Sequence, residues 1–217
     1  NTAKNEQTDT WFKGLDRVYN NFVYDYLYPN PASVLAFIEN HDTDRFLGEG
    51  ENLDMLKQAS TLLLTTRRIP QLYYGTEVMM NGVKSKSDGY VRKDFPGGWA
   101  DDKENALTPE GRTRLQNESY NFYRNLLNWR KGNDVIAKGS MKQFMVQHGV
   151  YAYARQYKGK TVFVLLNGTD KEVKLPLKYY AEVLKDKTQG KDVISGKVTA
   201  LNEELTMAPR QSMVIEL

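Results

Sequence analysis

The feature that most constrains this chain is residues 33–42, where a short apolar run ends abruptly in polar side chains. Residues 33–38 read Ser-Val-Leu-Ala-Phe-Ile, and residues 39–42 read Glu-Asn-His-Asp. Parallel strands are buried on both faces, and α/β folds place their chemistry at the C-terminal ends of such strands. The stretch therefore predicts a parallel strand over 33–39 with a functional site at its end.

A second segment repeats this design about one βα unit later. Residues 69–77 read Ile-Pro-Gln-Leu-Tyr-Tyr-Gly-Thr-Glu, and we expect Pro70 to open a strand over Leu72–Tyr74. Leucines at helical spacing predict an amphipathic helix over 52–67, between the two strands. Strands that alternate with helices indicate parallel units with right-handed crossovers.

Two further helices flank this unit. The first is predicted over 8–28, because its apolar residues recur at spacings of three and four, and Pro29 ends it. A long charged loop is expected over 75–108. After it, Thr108 as N-cap and Pro109 in the first turn predict a helix that runs to about Lys131.

The chain changes character near residue 139, where short alternating runs replace the helical pattern. Glycine turns such as His148-Gly149 and Lys158-Gly159 separate these runs, which is typical of antiparallel hairpins. Strands are predicted over 141–147, 150–157, 161–167, 172–176, 193–195 and 213–217. We therefore predict two domains: an α/β part over 1–135 and an antiparallel β-sandwich over 136–217.

Composition excludes several classes of protein. Cysteine is absent, so a disulfide framework or a thiolate site is excluded. The net charge of +3 has both signs interspersed, and no basic stripe indicates nucleic acid. No apolar run approaches the roughly 18 residues of a membrane span. The chain begins at Asn1 without a signal peptide, and we interpret it as a fragment or a processed product.

Three motifs resemble the α-amylase superfamily, glycoside hydrolase family 13, and most closely its neopullulanase/cyclomaltodextrinase type. They are Asn-His-Asp-Thr-Asp-Arg-Phe (40–46), Pro-Gln-Leu-Tyr-Tyr-Gly-Thr-Glu (70–77) and Arg-Lys-Asp-Phe-Pro-Gly-Gly-Trp (92–99). The resemblance implies an α/β fold: the C-terminal portion of a (β/α)8 TIM barrel, followed by an antiparallel β-sandwich domain. A whole barrel needs about 250 residues, so the N-terminal half of the barrel is expected to be missing.

The resemblance also assigns site residues for a retaining α-glucan hydrolase. It implies that Asp42 is the catalytic carboxylate that stabilises the transition state. It implies that His41, Asp88 and Arg92 bind the sugar substrate. The nucleophile and the general acid would come from upstream, so this chain alone is expected to be inactive. Residues 89–94 resemble the family's nucleophile motif but contain one residue too many, so we do not assign the nucleophile to them.

Other charged groups have simpler expected roles. Glu39 and Asn40 are expected to orient the loop, and Asp44 with Arg45 to form a local ion pair that supports it. The lysines over 84–93 are interpreted as solvated.

Alternatives remain open at this point. One is a transglycosylase of the same superfamily. The other is a non-catalytic carbohydrate-binding module, for which Tyr151, Tyr153 and Tyr157 alternate suitably, although core packing explains them as well. The expected partner is an α-glucan oligosaccharide, with neither nucleic acid nor a membrane span. No metal or cofactor is expected in this chain, whereas the intact enzyme could hold calcium. A polysaccharide substrate favours export, to the periplasm or outside the cell.

Overall fold

A computed structural model describes residues 13–217, in which α/β elements come first and strands dominate after Ser140. The helices are α1 (Leu15–Val23), α2 (Leu53–Thr65), α3 (Asp88–Val91), α4 (Arg114–Arg130), α5 (Asp134–Lys138) and α6 (Ala181–Leu184). The strands are β1 (Leu35–Ala36), β2 (Ile69–Pro70), β3 (Ser140–Gln147), β4 (Val150–Tyr157), β5 (Lys160–Asn167), β6 (Val173–Pro176), β7 (Gln189–Asp192), β8 (Val198–Ala200), β9 (Glu204–Met207) and β10 (Ser212–Glu216). Single 3-10 turns occur at Tyr24–Leu27, Pro31–Ser33, Thr76–Val78 and Leu177–Tyr180.

Strands β1 and β2 form a parallel pair, and α2 lies between them in the chain. The predicted parallel pairing is confirmed, but the extent of both strands was wrong. Each strand is two residues long, and the second one lies at Ile69–Pro70 rather than at 72–74. Within the part of the chain that the structure describes, each of the two strands has one partner, so few ladder hydrogen bonds form between them. Leu35, Phe37 and Ile69 are 53%, 43% and 49% exposed, so the expected burial of this run is not found within residues 13–217.

The helix α4 begins later than predicted. Thr113 Oγ1 accepts a hydrogen bond from Gln116 N at 3.2 Å, and Gln116 Oε1 accepts one from Thr113 N at 2.8 Å. This capping box satisfies two N-terminal donors reciprocally. Thr108 instead accepts from Gly111 N at 3.3 Å in the preceding loop. The predicted cap at Thr108 was therefore wrong.

The other helices agree more closely with the sequence pattern. Helix α1 ends at Val23 and a 3-10 turn extends it to Leu27, whereas the predicted start at residues 8–12 lies outside the described residues. Helix α2 covers most of the predicted 52–67. None of the helices in residues 13–217 has the length and apolar character that crossing a membrane requires.

The second half is an antiparallel β-sandwich, as predicted. One sheet has six strands in the order β3-β4-β5-β10-β7-β8, and β6 pairs with β9 in a second sheet. His148-Gly149 and Lys158-Gly159 turn the first two hairpins, and all four residues have positive φ. Strands β7, β8 and β9 were not predicted. The predicted strand over 193–195 is a turn, in which Asp192 Oδ2 accepts from Ser195 N at 3.0 Å.

The six-stranded sheet is covered on both faces. One face packs against the second sheet through a core that includes Phe163 and Tyr180. The other face packs Tyr151 and Tyr153 against the helices. Both tyrosines are fully buried, so core packing, and not an exposed aromatic row, explains them. A third core joins α2, α4 and Phe46, which anchors the loop that follows β1.

Candidate functional site

The four residues predicted for the site lie together on the surface. Arg92 Nη2 is 3.1 Å from Asp42 Oδ1 and 3.1 Å from Asp88 Oδ2. Arg92 Nε donates a hydrogen bond to the carbonyl of His41 at 2.9 Å. His41 Nε2 is 3.1 Å from Asp42 Oδ2. Residues about fifty positions apart in the chain therefore form one cluster, which we call the polar cluster.

Local turns explain how each loop presents its part of the polar cluster. Asn40 Oδ1 accepts from Asp42 N at 2.9 Å, and Asn40 N donates to Thr43 Oγ1 at 3.1 Å. Ser87 Oγ accepts from Tyr90 N at 3.0 Å and caps the short helix α3. Asn40 thus orients the first loop, as expected. The cap sets Asp88 at the start of α3, one turn before Arg92.

Lys84 also contacts the polar cluster, and the sequence analysis did not predict this. Its Nζ donates to the carbonyl of Asp42 at 3.1 Å and lies 3.5 Å from Asp88 Oδ1. Its backbone N donates to Asp44 Oδ1 at 2.6 Å. The sequence signal was a lysine four residues before an aspartate in a charged loop, which we had interpreted as solvated.

The polar cluster is open to solvent. The side chains of His41, Asp42 and Asp88 are 58%, 60% and 52% exposed, and that of Arg92 is 39% exposed. Exposed ion pairs contribute little to stability. Two carboxylates, an imidazole and a guanidinium that converge at the surface offer both donors and acceptors to a ligand rich in hydroxyl groups.

A buried ion pair lies beneath the polar cluster. Arg45 and Glu39 are 1% and 2% exposed, and Arg45 Nη1 is 3.2 Å from Glu39 Oε1. The expected local pair between Asp44 and Arg45 was wrong, because Asp44 accepts from the Lys84 amide at the surface. Arg45 turns inward instead, where burial demands an opposite charge.

Two tyrosines from the segment after β2 complete this layer. The Arg45 guanidinium lies 4.0 Å from the ring centroid of Tyr73 and 5.0 Å from that of Tyr74. Burial and a hydrogen bond with Tyr74 raise the pKa of Tyr73. Tyr74 OH donates to the carbonyl of Lys93 at 2.6 Å. Both rings therefore pack against Arg45 and support the loops of the polar cluster from beneath.

Two other observations concern ligands. A cavity of about 570 Å³ lies between α1, α2 and loops of the sandwich, and Phe37, Gln58 and Arg210 line it. No residue of the polar cluster lines this cavity. Within residues 13–217, no three His, Asp or Glu side chains gather as metal ligands.

Comparisons with known proteins agree with the sequence motifs. Residues 141–216 match the family model of the cyclo-malto-dextrinase C-terminal domain. An α-amylase of Niallia circulans is 29% identical over 203 residues, which are 90% of this chain and 34% of that protein. A cyclomaltodextrin glucanotransferase of Thermoanaerobacterium thermosulfurigenes is 32% identical over 162 residues, which are 75% of this chain and 20% of that protein.

The chain is homologous to enzymes of the α-amylase family. It spans about a third of the length of the α-amylase and a fifth of that of the glucanotransferase. Its last domain is of the type found at the C-terminus of such enzymes. The comparisons agree with the predicted superfamily, whereas the neopullulanase type and the roles of the site residues stay predictions.

Solved structures show the same fold. An α-amylase of Anoxybacillus superposes with a TM-score of 0.74 at 19% identity, over 93% of this chain and 42% of that chain. The α-amylase of Geobacillus thermoleovorans, complexed with acarbose, gives 0.71 at 20% identity, over 93% and 43%. The cyclomaltodextrin glucanotransferase CldA gives 0.68 at 24% identity, over 93% and 40%.

Proposed function

We propose that this chain is the C-terminal part of a retaining α-glucan hydrolase of the neopullulanase/cyclomaltodextrinase type. In this proposal residues 1–135 belong to a (β/α)8 barrel and residues 136–217 form the domain that follows it. The parallel pair β1 and β2, joined through α2, supports the barrel assignment. The exposed apolar side chains of that pair support it too, because barrel strands are flanked on both sides.

The main support for the proposed site is that the side chains of the polar cluster come together from two separate loops. Arg92 contacts both Asp42 and Asp88, although nothing in the local chain requires these loops to meet. A glucan offers many hydroxyl groups, each able to donate and accept. We assign binding of the reacting sugar to His41 and Asp42, and binding of the neighbouring sugar to Asp88 and Arg92.

Asp42 is proposed to act on the transition state rather than on bond cleavage itself. Retaining hydrolysis uses two carboxylates about 5–5.5 Å apart, one as acid/base and one as nucleophile. We place both upstream of this chain. The charge of Asp42 would face the developing oxocarbenium ion, and a preorganised charge of this kind lowers the barrier.

The test of this role is Asp42→Asn in the enzyme that carries the complete catalytic domain. The substitution keeps the shape but removes the charge, so we expect kcat to fall by about 10²–10³. Asp44→Asn is the matched control, because Asp44 is also an exposed carboxylate of this loop but bonds the Lys84 amide. A kcat within about threefold of wild type for Asp42→Asn would refute the assignment.

The chain by itself is proposed to hydrolyse no glucan, since the proposal places both the nucleophile and the acid upstream of it. The assay measures reducing ends released from pullulan, starch and cyclodextrin by material of confirmed mass. Turnover above that of the Asp42→Asn chain would show that a catalytic carboxylate pair exists within it. Preference for cyclodextrin and pullulan over starch, measured with the complete enzyme, tests the proposed subgroup.

A second candidate is a transglycosylase, in which an acceptor sugar replaces water. The similarity to cyclomaltodextrin glucanotransferases favours it. The residues of the polar cluster suit both reactions equally, because both proceed through the same glycosyl intermediate. Product analysis of the complete enzyme separates them: linear sugars of decreasing length indicate hydrolysis, and longer or cyclic products indicate transfer.

A further inference from the structure

We propose that Arg45 is a positioning residue that holds the two halves of the polar cluster in register. One half, His41 and Asp42, lies on the loop after β1, and the other half, Asp88 and Arg92, lies on and beside α3. The inference rests on the proposed function of the polar cluster, and it assigns no contact between Arg45 and the sugar.

Arg45 connects the loops from below. Its Nε donates to the carbonyl of Val91 at 3.0 Å, directly before Arg92 in the chain. Its Nη1 donates to the carbonyl of Tyr74 at 2.7 Å. Its backbone N donates to the carbonyl of Gly82 at 3.0 Å. One residue therefore ties the loop after β1 to the end of α3 and to the segment after β2.

Glu39 holds Arg45 in place and fixes the start of the same loop. Its Oε1 is 3.2 Å from Arg45 Nη1 and also accepts from Thr76 Oγ1. Its Oε2 accepts from the backbone N of Phe46. The carboxylate neutralises the buried cation, so removing either partner would leave a buried charge unpaired.

The exposed side chains cannot supply this order themselves. Ion pairs at the surface compete with water and hold long side chains weakly. The guanidinium of Arg45, by contrast, is planar, fully buried and stacked on Tyr73 at 4.0 Å. A lysine would keep the positive charge but lose the several N–H donors of the guanidinium and its stacking on Tyr73. Arg45→Lys therefore tests the geometry of Arg45 separately from its charge.

The chain offers a matched control in Arg155. It is also 1% exposed, and its guanidinium donates to the carbonyls of Thr65, Ile136 and Gly139 at 2.8–2.9 Å. Arg155 lies under the sandwich rather than under the polar cluster. Arg155→Lys therefore measures what a buried arginine contributes to stability alone.

The first experiment is amide hydrogen exchange on the 217-residue chain. Arg45→Lys should accelerate exchange in residues 40–46 and 88–92 together. Arg155→Lys should accelerate it in 136–140 and leave both loops unchanged. Glu39→Gln leaves Arg45 charged but turns one accepting oxygen into a donating amide. It should accelerate exchange in the same two loops, and it serves as the second variant if Arg45→Lys does not fold. Acceleration in neither loop, or in one loop only, would overturn the proposal.

The second experiment separates kcat from KM in the enzyme with its complete catalytic domain. Misplacing catalytic groups by about 1 Å can cost about 10²-fold, so we expect Arg45→Lys to lower kcat by at least about tenfold and to change KM less. Arg155→Lys should leave both constants within about twofold.

The outcomes distinguish the two proposals. Wild-type kcat for Arg45→Lys, in an enzyme that Asp42→Asn inactivates, would refute the positioning role. Wild-type kcat for Asp42→Asn would refute the proposed function instead, and the exchange data would then decide whether Arg45 couples the loops.

Discussion

Strands β4 and β1 are both apolar, yet they have opposite environments. The first five residues of β4, Val150 to Ala154, have no exposed surface, whereas Leu35 in β1 is 53% exposed. Strand β4 has a neighbour on each side and a packed layer on each face. Among the described residues, strand β1 has one neighbour, β2. Burial here thus follows the number of neighbours rather than composition, and within residues 13–217 the β1–β2 pair leaves apolar side chains exposed.

The largest expected effect contrasts two phenylalanines from these regions. Phe163 is fully buried and packs edge to face against Phe144, while Phe37 is 43% exposed. Phe163→Ala should lower the free energy of unfolding by about 3–5 kcal/mol through lost burial and a residual cavity. Phe37→Ala should cost less than about 1 kcal/mol in the same chain. Urea unfolding measures both values, and equal losses would contradict the comparison.

A strand's own pattern and its neighbours also explain which strands could be predicted from the sequence. Strands β3 to β5 are separated by glycine turns, and β4 and β5 are rich in β-branched and aromatic residues, so the predicted bounds of the three strands were nearly right. Strands β8 and β9 are short and half polar, so their pairing partners define them rather than their own pattern. The apolar pair Val193-Ile194 was mistaken for a strand. It packs towards α4 while Asp192 organises the turn.

For the candidate site, too, the sequence predicts some features and not others. His41 and Asp42 follow a strand and belong to a motif, so their place was predictable. The partner of Arg45 was not, because Asp44 is adjacent in sequence and Glu39 is six residues away. Only the fold shows that Asp44 faces Lys84 and solvent while Glu39 lies inside. Ion-pair partners depend on side-chain direction, which spacing in an irregular loop does not give.

A smaller effect is expected at Asp25, a buried charge within the otherwise open α/β region. Arg67 Nη2 and Arg68 Nη1 donate to Asp25 Oδ2 at 2.8 and 3.1 Å. Asp25→Asn should cost about 2 kcal/mol, the usual range for hydrogen bonds to a charged group. A loss as small as that of an exposed pair would show that this anchor does not hold the turn after α1.

The effect of Asp25 should depend on pH. Burial by itself would raise the pKa of Asp25, but hydrogen bonds from Arg68 and Arg67 outweigh it and lower the pKa below its usual value. The stabilisation is therefore complete above the unfolded-state pKa of about 3.9 and is lost as pH falls through the lower, folded-state value. The difference in unfolding free energy between wild type and Asp25→Asn should be full at pH 6 and should begin to shrink only below about pH 4.

A helix cap gives the next smaller effect and sharpens the boundary of α4. Thr113→Ala removes one side of the capping box and should cost about 1 kcal/mol. Thr108→Ala, at the start predicted from sequence, should cost less than about 0.5 kcal/mol, because its hydroxyl serves a loop outside the helix. Chemical unfolding of the two threonine variants compares them directly. The reverse order would place the helix start at Thr108 after all.

The smallest effect on stability is expected where function is proposed. Asp88 contacts Arg92 at 3.1 Å, but both side chains are exposed. Asp88→Asn should change the free energy of unfolding by no more than about 0.5 kcal/mol, and added salt should shrink the difference further. Urea unfolding at low and moderate ionic strength measures this. A loss as large as that at Asp25 would mean that the pair holds the loops together. A negligible loss would agree with the proposal that Asp88 is placed for sugar binding rather than for stability.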